Sequence, residues 1–301
     1  MLVLQVLFVI GLAKLLWKVC QFLYSKLYER IDLERYRYGS VCVTGATSGT
    51  GKALAKEFLR RGFRVVLVSR SLEKLVETKK ELVTETGQST VDFVQADFAK
   101  VHDEREFYED LYQKLVPFNV SVLVNNAGLA ECRFLHEMSL QSIEDILRVN
   151  VDGYTLLLKK FIGEFERRFL CEGRRSLYLR VGSQVTSLYL PRFTLYSATK
   201  IYNDVLAQAV QLENYAGLDT AIVRPSQVST NLLSDQHLPI TFVSIEPDTF
   251  AQALLSSLKL GVNTGHWKHA VLHECSALLP YGLQRYVTLL LGRLMTYFGI
   301  A

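Results

Sequence analysis

Six short apolar runs, separated by stretches of helical spacing, constrain this chain more than any other feature. They lie at 40–44, 64–68, 91–95, 120–124, 176–181 and 220–223. Helical spacing fills the intervals at 52–61, 73–86, 104–115, about 140–168 and 194–216, with a further helix at 247–258. Near-continuously apolar strands are buried on both faces, which happens in parallel sheets covered by crossover helices. Right-handed crossovers then predict an α/β, doubly wound parallel sheet of the Rossmann type. No internal repeat or low-complexity segment interrupts the pattern.

The first strand runs directly into Thr44-Gly45-Ala46-Thr47-Ser48-Gly49-Thr50-Gly51 and then into a helix. Gly45 serves the tight turn, Gly49 lets backbone approach a pyrophosphate, and Gly51 permits close packing of helix on strand. Thr47, Ser48 and Thr50 lie between them, where the helix N-terminus favours phosphate charge. The second strand ends in Ser69-Arg70, not in the carboxylate that accepts from a ribose 2′-hydroxyl. A guanidinium binds a 2′-phosphate that a carboxylate would repel, so the sequence predicts NADP(H). Asp97, after the third strand, is placed either to accept from the adenine amino group or to cap the next helix.

Tyr196-Ser197-Ala198-Thr199-Lys200 puts a phenol and an ammonium one helical turn apart. The ammonium is expected to lower the tyrosine pKa towards a working range for a general acid. Ser183, just past the fifth strand, has a hydroxyl that could hold a carbonyl oxygen. Asn126, Ala127 and Gly128 end the fourth strand, and their amides can border a nicotinamide pocket. Asn150 is a polar residue in the middle of an expected helix, an unusual place for burial without purpose. All of these lie at or near strand C-terminal ends, where open α/β sheets bind ligands.

Both ends of the chain differ from this pattern. Residues 1–13 carry no charge, and Leu15, Leu16 and Trp17 extend the apolar run past Lys14. About 17 residues is the short end of a membrane-spanning helix. Lys14 and Lys18 can snorkel, Trp17 and Tyr24 suit an interface, and the basic residues that follow predict the remainder in the cytosol. An amphipathic helix lying on the surface is the other reading. The organisation expected is a membrane anchor and linker at 1–37, a Rossmann-type domain at 38–265 and an apolar C-terminal helical extension at 266–301. The run 286–292 is expected to be a packed or interfacial helix.

Net charge is only +4 with no basic block, so no nucleic-acid partner is expected. Five cysteines without a C-x-x-C motif argue against a disulfide framework. His266, His269 and His273 form a local group, but a zinc site would need a fourth ligand, and no metal is predicted.

Over about residues 38–260 the chain resembles the short-chain dehydrogenase/reductase family, through the 44–51 loop, the 125–128 stretch, Asn150, Ser183, Tyr196 and Lys200. The resemblance implies that Tyr196 donates the proton to a carbonyl oxygen and that Ser183 orients that carbonyl. It further implies that Lys200 bonds the nicotinamide ribose, that Asn150 holds a relay water, and that Pro225 and Val228 contact the cofactor. A homodimer through the Tyr196 helix and its neighbour is common in the family. The apolar N-terminus, the Val68–Leu75 stretch and the Glu246–Phe250 stretch are similar to the very-long-chain 3-oxoacyl-CoA reductase and 17β-hydroxysteroid dehydrogenase type 12/type 3 group. That group implies an endoplasmic-reticulum membrane protein facing the cytosol, with a lipid ketone (3-oxoacyl-CoA or 17-ketosteroid) as substrate. Segment 229–243 is expected to shape the pocket, and Arg133, Arg192 and Lys268 are candidates to meet CoA phosphates. Two departures stand out. Arg180-Val181-Gly182-Ser183 replaces Asn-x-Ser-Ser, and Pro225-Ser226 replaces Pro-Gly. A catalytically idle scaffold in a lipid-elongation assembly is the competing reading, and the intact Asn150, Ser183, Tyr196 and Lys200 argue against it.

Overall fold

In the computed structural model, strands β1 (Ser40–Thr44), β2 (Arg64–Ser69), β3 (Val91–Gln95), β4 (Val120–Asn125), β5 (Ser176–Val181), β6 (Leu218–Val223) and β7 (Gly261–Asn263) form one sheet. The structure describes residues 30–187, 191–229 and 244–297, with isolated positions between 5 and 20. The strand order is β3-β2-β1-β4-β5-β6-β7, and every pairing is parallel. In the centre Val43 lies opposite Leu67 on one side and Val124 on the other. The chain order reverses between β1 and β4, which opens a crevice beyond their C-terminal ends.

Side chains alternate across each strand, and the two faces build two cores. Val41, Val43, Val65 and Leu67 face helices α1 (Gly49–Arg60), α2 (Leu72–Thr86) and α7 (Pro247–Ser257), joining Leu54, Phe58, Leu75, Leu82, Phe250 and Leu254. Cys42, Val66 and Val68 face the opposite way. There they join Tyr108 and Leu111 of α3 (Glu104–Leu115), Leu157, Phe161 and Phe165 of α5 (Gly153–Glu172), and Ala207 and Val210 of α6 (Thr194–Glu213). Helix starts are set by local chemistry. Ser71 accepts from the Lys74 amide and Asp103 from the Glu106 amide, each satisfying a donor that the helix leaves free.

Three features differ from the expectation. The long helix at 140–168 is α4 (Leu140–Leu147) and α5, joined by a π-helical turn at Arg148–Asp152 that carries Asn150. Strand β7 has no counterpart among the expected strands, because its three residues contain a glycine and an asparagine and form no apolar run. The folded body also begins before residue 38. Ile31 donates its amide to the Leu258 carbonyl at 2.8 Å, and the buried Tyr36 hydroxyl donates to Asp219 at 2.8 Å.

The C-terminal extension is two helices, α8 (Trp267–Leu278) and α9 (Tyr281–Tyr297). Among the described residues no helix is long and apolar enough to cross a membrane. Most of the expected N-terminal anchor, and all but Ser229 of the 229–243 segment expected to shape the pocket, lie outside the described residues. Leu54 is fully buried where α1 packs on the sheet. Leu54→Ala is expected to destabilise the fold by about 2–5 kcal/mol in chemical denaturation, because a close-packed core relaxes only partly around the cavity.

Candidate active site

The crevice between β1 and β4 is built by backbone contacts that exclude larger side chains. Gly45 has φ +65°, and a Cβ there would stand 2.8 Å from the Cα of Ala127. A Cβ on Gly51 would meet the Gly45 carbonyl oxygen at 2.3 Å and the Asn126 Nδ2 at 2.5 Å. Thr44 and Asn126 lace the two strand ends together. The Thr44 hydroxyl accepts from the amides of Asn126 and Ala127 at 2.9 and 3.0 Å, and Asn126 Nδ2 donates to the Thr44 carbonyl at 3.0 Å. Ser48 sits at the N-cap of α1 and makes no side-chain capping bond, so the first-turn amides have no acceptor from it. These residues fit a dinucleotide phosphate: a cradle a Cβ would fill, beside a helix N-terminus.

The Thr47 and Ser69 hydroxyls lie 2.9 Å apart, bringing the loop to the end of β2 beside Arg70. Arg70 is exposed, and among the described residues no carboxylate pairs with it. Asp97 does not cap the next helix. Its Oδ1 accepts from the Ala99 amide at 3.1 Å, closing a turn, while Asp103 caps the helix that follows.

At the neighbouring end of β5, Ser183 acts on the Tyr196 hydroxyl and favours its phenolate. Tyr196 and Lys200 are buried on the same face of α6, and the Lys200 Nζ stands 5.5 Å from the Tyr196 ring centre and 5.3 Å from that of Tyr154. The structure corrects the expected direction of the tyrosine pKa. Burial pushes the Tyr196 hydroxyl up to about 12, opposed by Ser183 and by Arg180, while burial and then Arg180 push Lys200 down to about 7. The charge that favours the phenolate is thus that of Arg180, which is wholly buried in β5.

Asn150 is fully buried, and its amide is already engaged. Oδ1 accepts from the Leu129 amide at 2.8 Å, and Nδ2 donates to the Leu129 carbonyl at 2.9 Å and to Thr199 Oγ1 at 3.0 Å. Its side chain therefore fixes the 126–129 loop against α6, and its backbone carbonyl accepts from Asn203. Gly128 lies between them; a Cβ there would be 3.3 Å from Lys200 Nζ and 3.6 Å from Asn150 Oδ1. The Pro225 carbonyl accepts from the Gln184 amide at 2.8 Å, which ties the segment after β6 to the residue following Ser183. Val228 pairs with Ile245 in an isolated bridge further along.

Asp204, Arg224 and Asn203 join the site without having been expected from sequence. One signal for them was present: Arg180 is a charge inside the apolar strand Ser176–Val181, and a buried charge needs a partner. Of the residues considered for CoA phosphates, Arg133 pairs with Glu131 at 2.9 Å, and the Arg192 guanidinium stacks over the Phe134 ring at 4.5 Å. Among the described residues no group of His, Cys, Asp or Glu is arranged to hold a metal.

Arg70→Gln is expected to weaken NADPH binding by about tenfold or more while leaving NADH binding unchanged, since hydrogen bonds to charged groups contribute about 1.5–3 kcal/mol; fluorescence titration with both nucleotides reads this. Lys200 binds its proton less tightly when folded (about 7) than its ordinary 10.5, so its burial costs most below pH 7 and stability recovers as pH rises through that window. Lys200→Met should therefore raise the melting temperature relative to the parent more at about pH 6 than at about pH 10, and an equal change at both would refute the buried ammonium.

The short chain dehydrogenase profile matches residues 40–238. Hydroxysteroid dehydrogenase-like protein 1 of Gallus gallus is 30% identical over 85% of this chain and 76% of its own length. The 17-beta-hydroxysteroid dehydrogenase type 3 of Homo sapiens is 30% identical over 79% of this chain and 74% of its own. A very-long-chain 3-oxoacyl-CoA reductase-like protein of Arabidopsis thaliana is 30% identical over 82% and 79%. Among solved structures, a short-chain dehydrogenase from Sphingobium yanoikuyae in complex with NADPH has a TM-score of 0.64 at 25% identity, covering 80% of this chain and 94% of that one. With the glycine cradle and the Ser183–Tyr196–Lys200 cluster in one crevice, the chain belongs to the short-chain dehydrogenase/reductase family, oxidoreductases acting on the CH–OH/C=O group.

Proposed function

We propose that this chain is a membrane-bound, NADPH-dependent reductase of a lipid ketone, either a 3-oxoacyl-CoA or a 17-ketosteroid. The observation that carries the reading is that Tyr196 and Lys200 lie buried side by side against the 126–129 loop, with Ser183 acting on the Tyr196 hydroxyl. NADPH, held by the 44–51 loop with Ser69 and Arg70, supplies the hydride. Ser183 donates a hydrogen bond to the substrate carbonyl oxygen and sets it against Tyr196. As charge develops on that oxygen, the Tyr196 hydroxyl passes its proton across. A hydroxyl whose pKa burial pushes up to about 12 keeps its proton at neutral pH, and Ser183 and Arg180 oppose that rise and so favour its release. Lys200 lies behind it and would bond the nicotinamide ribose, and Asn150 holds the 126–129 loop that borders the ring.

The lipid substrate is supported by relatives whose names refer to steroids and very-long-chain 3-oxoacyl-CoA. Membrane attachment is supported by the uncharged run at 1–13 and by apolar residues exposed on the C-terminal helices, among them Trp267, Val271, Leu283, Tyr286 and Leu289. The location this favours is the endoplasmic-reticulum membrane with the site in the cytosol, and the α5–α6 side is the face through which two copies would pair.

Detergent-solubilised full chain is expected to oxidise NADPH with long-chain 3-oxoacyl-CoA or 17-ketosteroids in a panel that also holds retinal. Tyr196→Phe should lose about two or more orders of magnitude in rate, in line with the removal of a general acid. Turnover near the parent's in that variant would defeat the assignment.

A further inference from the structure

Beneath Tyr196 and Lys200 lies a group of three charges, Arg180 and Asp204 buried and Arg224 half-buried. Arg180 on β5 is fully buried, and its Nη1 donates to Asp204 Oδ1 at 2.5 Å. Arg224, just after β6, donates from Nε to the same oxygen at 3.0 Å and pairs through Nη2 with Oδ2. Arg180 also donates from Nη2 to the Lys200 carbonyl at 2.7 Å. Lys200 and Asp204 are one turn apart on α6, so a single guanidinium grips two consecutive turns of the helix that carries Tyr196.

The space for this guanidinium comes from Gly182. A Cβ at 182 would lie 2.3 Å from Arg180 Nη1 and 2.7 Å from its Cζ. The two changes in the segment before Ser183 are therefore one change: the arginine needs the glycine. The charges also do not cancel. One carboxylate faces two guanidinium groups, leaving the triad at +1, and Lys200 adds to it. Arg224 alone neutralises Asp204, so the surplus positive charge is the one Arg180 brings.

We propose that Arg180 is a positioning residue for the proposed Tyr196 proton donor: clamped by Asp204 and admitted by Gly182, it fixes the catalytic turn of α6 and holds an uncancelled positive charge behind Tyr196 and Lys200. The groups facing it are Tyr196, Lys200 and Asp204 on α6, Arg224 after β6, Tyr154 on α5 and Tyr178 on its own strand. Of these only Asp204 is a carboxylate that pairs with it. A positive charge at this range favours the phenolate of Tyr196 and the neutral amine of Lys200, and displacements of about one to three pH units are usual for a close charge. The residue thereby counters the burial that raises Tyr196. The inference rests on Tyr196 as proton donor only for its kinetic consequence; the clamp and the charge stand without turnover.

The test uses the full chain in detergent, labelled at lysine Cε, with the Lys200 resonance identified by its loss in Lys200→Arg. Arg180→Met should move the Lys200 titration midpoint up by about one pH unit or more, and Arg180→Lys should leave it near the parent's. The rise of alcohol oxidation with pH should move upward by a similar amount, so that kcat at a fixed pH on its rising limb falls about tenfold for each pH unit by which the midpoint moves. Arg180→Gln, which keeps a donor towards the Lys200 carbonyl, serves if the Met variant fails to fold. An unmoved Lys200 midpoint in a folded neutral variant, with only a lower melting temperature, would overturn the proposal and leave Arg180 as a structural tie. The resonance needs no substrate, so an active Tyr196→Phe would refute the donor assignment while leaving this measurement able to decide on Arg180.

Discussion

One buried hydroxyl organises the nucleotide end of the molecule. Thr44 closes β1, accepts the amides of Asn126 and Ala127, and has Val124 O and Asn125 Oδ1 within 3.4 and 3.3 Å for its own proton. It lies fully buried at the crevice where the sheet's chain order reverses. Strand ends there would otherwise leave polar backbone without partners, at a cost of about 1–3 kcal/mol for each such group. The close approach that results is the reason Gly45 and Gly51 cannot carry a Cβ. The cradle's shape thus follows from satisfying backbone donors as much as from accommodating a ligand.

The catalytic end is organised by charge. Tyr196, Lys200 and Asn150 are all buried, and burial by itself raises a phenol and lowers an amine. The surrounding protein answers with Ser183 on one side and the Arg180–Asp204–Arg224 group on the other. Breaking a buried pair by removing one partner costs about 3–5 kcal/mol, so such a group is rigid as well as charged. The π-helical turn at Arg148–Asp152 serves the same placement: it lets Asn150 leave the helical register and hold the Leu129 backbone while touching Thr199 on α6.

Much of this is legible in the chain. Strand after strand reads as a run that is apolar on both faces, and six of the seven strands are found where those runs stand. The seventh is not legible, because Gly261–Asn263 is held by pairing with β6 and by the Asn263 side chain, neither of which leaves a periodic trace. Asn150 stands out as a polar residue within a helix, yet the break in that helix does not, since it depends on Leu129 some twenty residues away. Arg180 stands out in sequence as a departure before Ser183 and as a charge inside an apolar strand, but neither trace points to Asp204 or Arg224 as its neighbours.

The sequence by itself determined the fold class, the glycine loop and the Tyr196–Lys200 spacing, because strand period, turn chemistry and helical pitch act between near neighbours. Tertiary structure alone decided which charge acts on Tyr196. Lys200, four residues away, looked like that charge, but burial makes it a weak one, and the stronger field comes from Arg180 on another strand. Proton affinities depend on burial and on charges brought together across the fold, and local spacing carries no information about either.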